Sequence, residues 1–215
     1  MFERDFILRM IKQLAQVIGQ VLNYKKKGQW ENAQMVVDVA TKQLLGINPE
    51  IVERLDADAL IELFTYDGET DYDKCMTLAV LLTEQGEIFE HRGQDTDKIF
   101  RQYFQGFHLF EIVFQEQQKY KTDYVTYALF CCEKLTEFKI APELLFRIFK
   151  FYKNHNYFAK AENILFLLLE QNENDAKKHA INFYKQLLSC DDKLLNKGEL
   201  PRDEVIEGLE KLTKS

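Results

Sequence analysis

Apolar side chains recur along most of this chain at steps of three and four residues. Such spacing places them on one face of an α-helix. Sustained alternation of apolar and polar residues, which would predict strands, is nearly absent, and only three prolines interrupt the 215 residues. We therefore predict an all-α protein with about nine to ten helices.

The pattern is densest at residues 149–169, where it predicts two antiparallel helices joined by a tight turn at Asn154–Asn156. Four residues that share the inner face follow one another at steps of nine, four and three: Tyr152, Ala161, Leu165 and Leu168. The step of nine crosses the turn, and the small Ala161 lets the two helices approach closely. The apolar run 164–169 predicts that the second helix is covered on more than one side.

The same steps recur near the start of the chain and, with one additional residue in the turn, in the middle. These copies are Tyr24, Ala33, Val37, Ala40 and Phe89, Ile99, Tyr103, Gly106. We predict helical hairpins near 3–45, 72–118 and 142–172, followed by capping helices near 175–213. Packing within them should centre on Tyr24, Ala33, Gly86, Phe89, Tyr152 and Ala161.

These hairpins resemble the tetratricopeptide repeat, a helix–turn–helix unit of about 34 residues. The aromatic residues that begin the three copies lie 65 and 63 positions apart, close to twice that period. The resemblance implies one domain over residues 1–215, in which the hairpins stack into a right-handed α-solenoid.

The opening third of the chain also resembles a whole family. The segments that carry this resemblance are FERDFILRMIKQLAQVIGQVL, KKKGQWENA and LLGINPEIVERLDADALIELF. They are similar to an uncharacterised bacterial family, domain of unknown function 6483. The resemblance implies a tetratricopeptide-like helical protein without an assigned activity, so it transfers no functional residue.

Several local signals refine the first half of the chain. The first helix, from about Glu3 to Lys27, has a wider apolar stripe than a surface helix needs, so we expect its inner face to be covered by the chain itself or by a second copy. The lysines at 25–27 are predicted to form a solvated helix end before Gly28. A short helix over 56–66 should be capped by Asp56, and the acidic loop 67–73 is predicted to be a polar capping loop rather than a calcium site.

Charge and cysteine usage bear on partners and location. The net charge of −7 argues against binding to nucleic acid or to an anionic membrane. Charges interrupt the apolar residues at the N-terminus, which predicts no signal peptide, and the run 164–169 is too short to span a bilayer, so we expect a cytoplasmic protein. The cysteines fit neither a disulfide framework nor a zinc site, and we predict small buried residues, with a redox switch as the alternative: Cys75, Cys131, Cys132 and Cys190.

The sequence nominates no chemistry. It has no nucleophile elbow, phosphate-binding glycine loop or dinucleotide fingerprint, and its four histidines lack metal-site spacing. We expect no enzyme activity and assign no catalytic, cofactor-binding or metal residue. An unrecognised hydrolase or metalloprotein is a remaining alternative, because folding brings distant residues together.

The leading functional hypothesis is a non-catalytic scaffold that binds a protein or peptide, or a second copy of itself as a homodimer. By analogy with tetratricopeptide repeats, the first helix of each hairpin lines a concave face. The residues so placed are Ala15, Ile18, Leu22, then Thr83, Glu84, Glu87, then Phe146, Arg147, Lys150. A second hypothesis is a small-molecule pocket in the aromatic face near 100–114, formed by Phe100, Tyr103, Phe104, Phe107, Phe110 and Phe114.

Overall fold

A computed structural model describes residues 2–117, 121–171 and 175–214. Its helices are α1 (Phe2–Lys26), α2 (Trp30–Leu45), α3 (Pro49–Arg54), α4 (Ala57–Glu62), α5 (Tyr72–His91), α6 (Thr96–Glu116), α7 (Lys121–Thr136), α8 (Pro142–Asn154), α9 (Phe158–Glu170), α10 (Ala176–Leu187), α11 (Asp192–Lys197) and α12 (Arg202–Lys214). Two strands, β1 (Thr65–Tyr66) and β2 (Glu69–Thr70), pair antiparallel. The all-α class is confirmed.

The described part of the chain contains twelve helices, so the expected nine to ten was too few. Two of the additional helices, α3 and α11, are six residues long. Segments this short contain fewer than two helical turns, so apolar periodicity gives them almost no signal. The predicted helix over 56–66 also ends early, because α4 stops at Glu62 and the chain continues into β1.

Side-chain caps set the start of several helices. Asp56 accepts a hydrogen bond from the Ala59 amide at 2.8 Å, as predicted. Asp71 accepts one from the Lys74 amide at 3.0 Å, so the acidic loop does cap α5. Within that loop Asp67 and Gly68 both have positive φ, which gives the tight turn between β1 and β2.

The chain divides into two compact units, Met1–Phe138 and Lys139–Ser215. The prediction of a single helical-repeat domain stays a prediction. In the first unit, α1 pairs with α2 and α5 pairs with α6, while α5 also contacts α1, α2 and α7. Because α5 lies against four helices, nearly all of its residues from Cys75 to Phe89 are buried.

In the second unit, α8 pairs with α9, and α10 packs against both α9 and α12. The core contains Phe149 and Tyr152 from α8, Ala161 from α9 and Phe183 from α10, none more than 3% exposed. The rings of Phe149 and Phe183 meet edge to face, with centroids 5.6 Å apart.

One backbone motif ends the first helix of each hairpin. Amides five residues further along the chain donate to the carbonyls of Tyr24, Phe89 and Tyr152 at 2.9–3.0 Å. The residue before each donor has positive φ: Gly28, Gly93 and Asn156. This is the Schellman arrangement, in which a left-handed residue reverses the chain.

The motif explains the recurring step between the aromatic residue and the small residue. In the outer hairpins, the donors Gln29 and Tyr157 are also the N-caps of the next helix, with nearly the same φ of −92° and −91°. In the middle hairpin the N-cap is Asp95, one residue after the donor Gln94. The middle step is therefore ten rather than nine.

The predicted close approach at Gly86 is confirmed. A Cβ built on Gly86 would lie 2.6 Å from Cε1 of Tyr103, whose ring is fully buried between α5 and α6. Ala33 and Ala161 are 0% exposed, and Phe89 and Tyr152 are also buried, whereas Tyr24 is half-buried.

The aromatic face of α6 is largely core. Its members Tyr103, Phe107, Phe110 and Phe114 are at most 2% exposed, so neighbouring side chains fill the space around them. The remaining two members, Phe100 and Phe104, are half-buried and stack on each other. This packing argues against the small-molecule pocket proposed for residues 100–114.

Candidate interaction groove on the first unit

A groove of about 450 Å³ opens on the first unit between α1 and α7. We call it the α5 groove, because Thr83, Glu84 and Glu87 of α5 lie along it. Its other lining residues are Leu22, Lys25 and Lys26 of α1, Trp30 of α2, and Thr126, Tyr127 and Phe130 of α7. Three residues predicted for a concave face thus share one groove with Leu22, which was predicted for the same face.

A three-residue ionic cluster links α1 to α5 in this groove. The Lys25 ammonium donates to Oε2 of Glu84 at 2.8 Å and to Oε2 of Glu87 at 2.6 Å. The Lys25 and Glu84 side chains are only 8% and 6% exposed, and Glu87 is 29% exposed. The prediction of a solvated end of α1 was wrong for Lys25, because the neighbouring helix supplies two carboxylates that periodicity within α1 cannot reveal.

Burial controls the protonation of two groups in the groove, the Glu84 carboxyl and the Tyr127 phenol. It raises the pKa of Glu84, and the Glu87 charge raises it further, while Lys25 acts in the opposite direction. Burial, with the Glu84 charge as a smaller cause, raises the pKa of the Tyr127 phenol to about 12. The Tyr127 hydroxyl therefore stays protonated at neutral pH.

Thr83 lies deeper than its neighbours and acts in packing. Its hydroxyl donates to the Ala79 carbonyl at 2.8 Å and lies 3.1 Å from Sγ of Cys131. Burial raises the pKa of the Cys131 thiol to about 12, so the thiol is protonated at neutral pH and a poor nucleophile.

The groove walls are mainly apolar. Leu22 is 42% exposed, and Trp30, Tyr127 and Phe130 are half-buried. The indole of Trp30 stacks on the His91 ring with centroids 4.0 Å apart, which fixes its orientation. Lys25, Glu84 and Glu87 already pair with one another, so the apolar walls around them are suited to burying a partner's side chains.

From Leu22 an apolar stripe continues along the outer surface of α1. We call it the α1 stripe. Ile11 is 38% exposed, Ala15 is exposed and Ile18 is half-buried. These four residues follow at steps of four, three and four, so they lie on one face of the helix.

The remaining predicted concave-face residues lie on α8, in the second unit. The Phe146 ring is 4.3 Å from the His179 ring, and the Lys150 ammonium lies 4.6 Å from the centroid of Phe146. Phe146 and Arg147 are half-buried and Lys150 is exposed. Lys150 and Phe146 thus form a local cation–π contact.

Sequence reasoning missed six lining residues of the α5 groove: Lys25, Lys26, Trp30, Thr126, Tyr127 and Phe130. Lys25 continues the steps of the α1 stripe, three positions after Leu22, and this spacing could have placed it on the same face. For Trp30, Tyr127 and Phe130 the sequence gives no comparable signal, because which neighbour each helix packs against decides their position.

Metal sites, membrane-spanning helices and cysteines can also be assessed in the described residues. Within these ranges no group of three or more histidine, cysteine, aspartate or glutamate residues is arranged to hold a metal ion. No helix there is both long and apolar enough to cross a membrane. The thiols of Cys75, Cys131 and Cys132 are buried, as predicted, and Cys190 is half-buried.

Fold and groove together define an all-helical protein with helical hairpins and an open, apolar-walled surface groove. The model of the Family of unknown function (DUF6483) matches residues 1–215, so the chain belongs to that family and the predicted family membership is confirmed. No curated protein and no solved structure matches the chain. The tetratricopeptide resemblance stays a prediction.

Proposed function

We propose that the protein is a non-catalytic helical-repeat module that binds another polypeptide through the α5 groove and the α1 stripe. The observation that carries this proposal is the difference between the charged and the apolar residues of the groove. Its buried ions already pair with one another, while Leu22 at its wall is 42% exposed. Binding would therefore gain free energy mainly by removing apolar surface from water.

The shape favours a polypeptide over a compact ligand. From Ile11 to Leu22 the α1 stripe covers eleven residue steps, or about 16 Å of helix axis. A surface this elongated suits a partner helix laid along it, with side chains at steps of three and four.

The helix contacts of the first unit support a tetratricopeptide-like arrangement. Because α5 contacts both helices of the preceding hairpin, and α7 contacts both α5 and α6, successive elements lie against one another in order. We propose that these elements form a right-handed stack. Buried cysteines that are thiols suit a reducing compartment, and we propose the cytoplasm as the location.

Site-specific photo-crosslinking tests the proposal. Benzoylphenylalanine is introduced at Leu22 or Phe130 in the cells that naturally produce the protein, with Tyr66 as the control because its side chain is 81% exposed on the β1–β2 turn. We expect a covalent adduct with a polypeptide, either foreign or a second copy, from Leu22 and Phe130 but not from Tyr66. Correctly folded variants that yield no polypeptide adduct at either groove position would overturn the proposal.

A further inference from the structure

The α1 stripe is an apolar surface on a strongly charged protein. Charged residues make up 29% of the chain and its net charge is −7, yet residues 13–24 contain none. Within the same helix Leu14 and Val21 are buried in the core, so the apolar arc of α1 extends past what its own unit covers. An exposed apolar stripe of this kind marks an interaction surface.

Absence of charge favours a second copy of the same chain as the partner. Two molecules that each carry −7 repel through their acidic surfaces, and a neutral stripe is where they can meet without that cost. A two-fold interface uses the same patch on both molecules and so requires a self-complementary surface.

The α1 stripe meets that requirement in an antiparallel pair. Its steps of four, three and four read the same in both directions. Reversing one helix against the other sets Ile11 opposite Leu22 and Ala15 opposite Ile18. Near the centre of the pair, the small Ala15 of each copy faces the large Ile18 of the other. At the two ends, Ile11 of each copy faces Leu22 of the other, and both are large.

Gly19 supports a close approach of another helix. It lies in the middle of α1, where glycine is less stabilising than alanine because it has more conformational freedom to lose on folding. A Cβ built there would meet nothing within 4 Å, so packing within the chain does not require a glycine at this position. A flat surface beside Ile18 would, however, let a second helix lie close to the backbone of α1.

We infer that the chain forms a homodimer in which the two α1 helices pair antiparallel along their stripes, about a two-fold axis between Gln16 and Val17. This inference rests on the proposed function and names its partner. Because Leu22 belongs to both the stripe and the α5 groove, Ile11 of the second copy lies at the mouth of the groove.

Disulfide trapping tests the arrangement. In a Cys190→Ser background, which leaves the three buried cysteines, Ile11→Cys and Leu22→Cys chains are prepared separately and oxidised alone or as a mixture. In an antiparallel pair, each introduced thiol lies about 16 Å along the axis from its own copy, far outside disulfide reach, but next to the other variant's thiol. We expect covalent dimers in the mixture only. A mixture of Met35→Cys and Val39→Cys, both exposed on α2, is the control and should stay monomeric.

Sedimentation over a hundredfold concentration range measures the association itself. We expect a monomer–dimer equilibrium for the wild type, at least tenfold weaker association for Leu22→Glu, and no change for Met35→Glu. A wild type that is monomeric throughout, dissociation by Met35→Glu instead of Leu22→Glu, or disulfides in either single oxidation would overturn the inference. A monomeric protein whose Leu22 still crosslinks to a foreign polypeptide would overturn the second copy alone and leave the proposed function standing.

Discussion

At the scale of single residues, the most consequential feature is a carboxylate that folding makes harder to ionise. Glu84 is 6% exposed, and its burial outweighs the attraction of Lys25 in setting the pKa. The Lys25–Glu84–Glu87 cluster thus fixes α1 against α5, but one of its members is ionised at a cost.

That cost predicts a specific pH dependence for Glu84→Gln. The raised pKa means that the folded protein holds the Glu84 proton more tightly than the unfolded chain does, whose pKa is near 4.5. This contribution to stability is complete below the unfolded pKa and is lost as the pH rises through the folded pKa. The free energy of unfolding of the wild type, relative to Glu84→Gln, should therefore fall as the pH rises above about 4.5 and level off once the pH exceeds the raised folded pKa.

Urea denaturation at several pH values measures this difference. The control is Glu62→Gln, which removes a carboxylate from an exposed position. A wild type that gains stability over Glu84→Gln as the pH rises would show that the Lys25 ion pair, not burial, dominates at this carboxylate.

Gly86 gives a second prediction at this scale. An added methyl group would lie 2.6 Å from Tyr103, whose ring cannot swing away because it is 0% exposed and its hydroxyl donates to Glu90 at 3.0 Å. Gly86→Ala should therefore lower the free energy of unfolding by about 1–3 kcal/mol despite the better helix propensity of alanine.

Chemical denaturation at low protein concentration measures the change. The matched control is Gly19→Ala, also inside a long helix but with open space around its Cβ. It should raise the free energy of unfolding by about 0.5–1 kcal/mol. Equal effects of the two substitutions would contradict the close approach of α5 and α6.

At the scale of elements, the hairpin turns were readable from the sequence because they obey a local rule. Gly28 and the turn at Asn154–Asn156 marked the ends of helices, and the Schellman bonds then fix where the next helix begins. The short helices α3 and α11 and the two-residue strands were not readable, since each is held by surroundings rather than by its own periodicity.

The turns predict opposite outcomes for two substitutions. Gly93 has φ of 63° and nothing within 4 Å of a built Cβ, so Gly93→Ala adds no clash and its cost is purely conformational. We expect a loss of about 1 kcal/mol, the penalty for an L-residue in the left-handed region. Asn156 already adopts φ of 63°, so Asn156→Gly should be neutral or stabilising.

Denaturant titrations of the two variants and the wild type measure both changes in the free energy of unfolding. Gly93→Ala and Asn156→Gly alter equivalent positions of two hairpins, so each serves as a reference for the other. A stabilising Gly93→Ala would mean that the left-handed residue does not control this turn.

At the scale of the whole molecule, the sequence predicted the helical class and the hairpins but only part of the groove. Thr83, Glu84, Glu87 and Leu22 followed from the repeat analogy, because their faces are set within single helices. The contribution of α7 depends on how three helices assemble, which spacing within one helix does not encode. For the same reason the aromatic face of α6 could not be distinguished from a pocket until its neighbours were in place.

The division at Phe138 and Lys139 yields the last prediction. The second unit has its own core, in which Phe149, Tyr152 and Phe183 are at most 3% exposed. It also has its own part-buried polar contact, since Tyr184 donates to Glu162 at 2.6 Å. A fragment of residues 139–215 should therefore be helical by circular dichroism and melt cooperatively. Ala161→Arg in the same fragment places a charge at a fully buried position and should abolish that transition. A fragment that is helical but melts without cooperativity, whether or not it carries Ala161→Arg, would show that this core requires the first unit to pack.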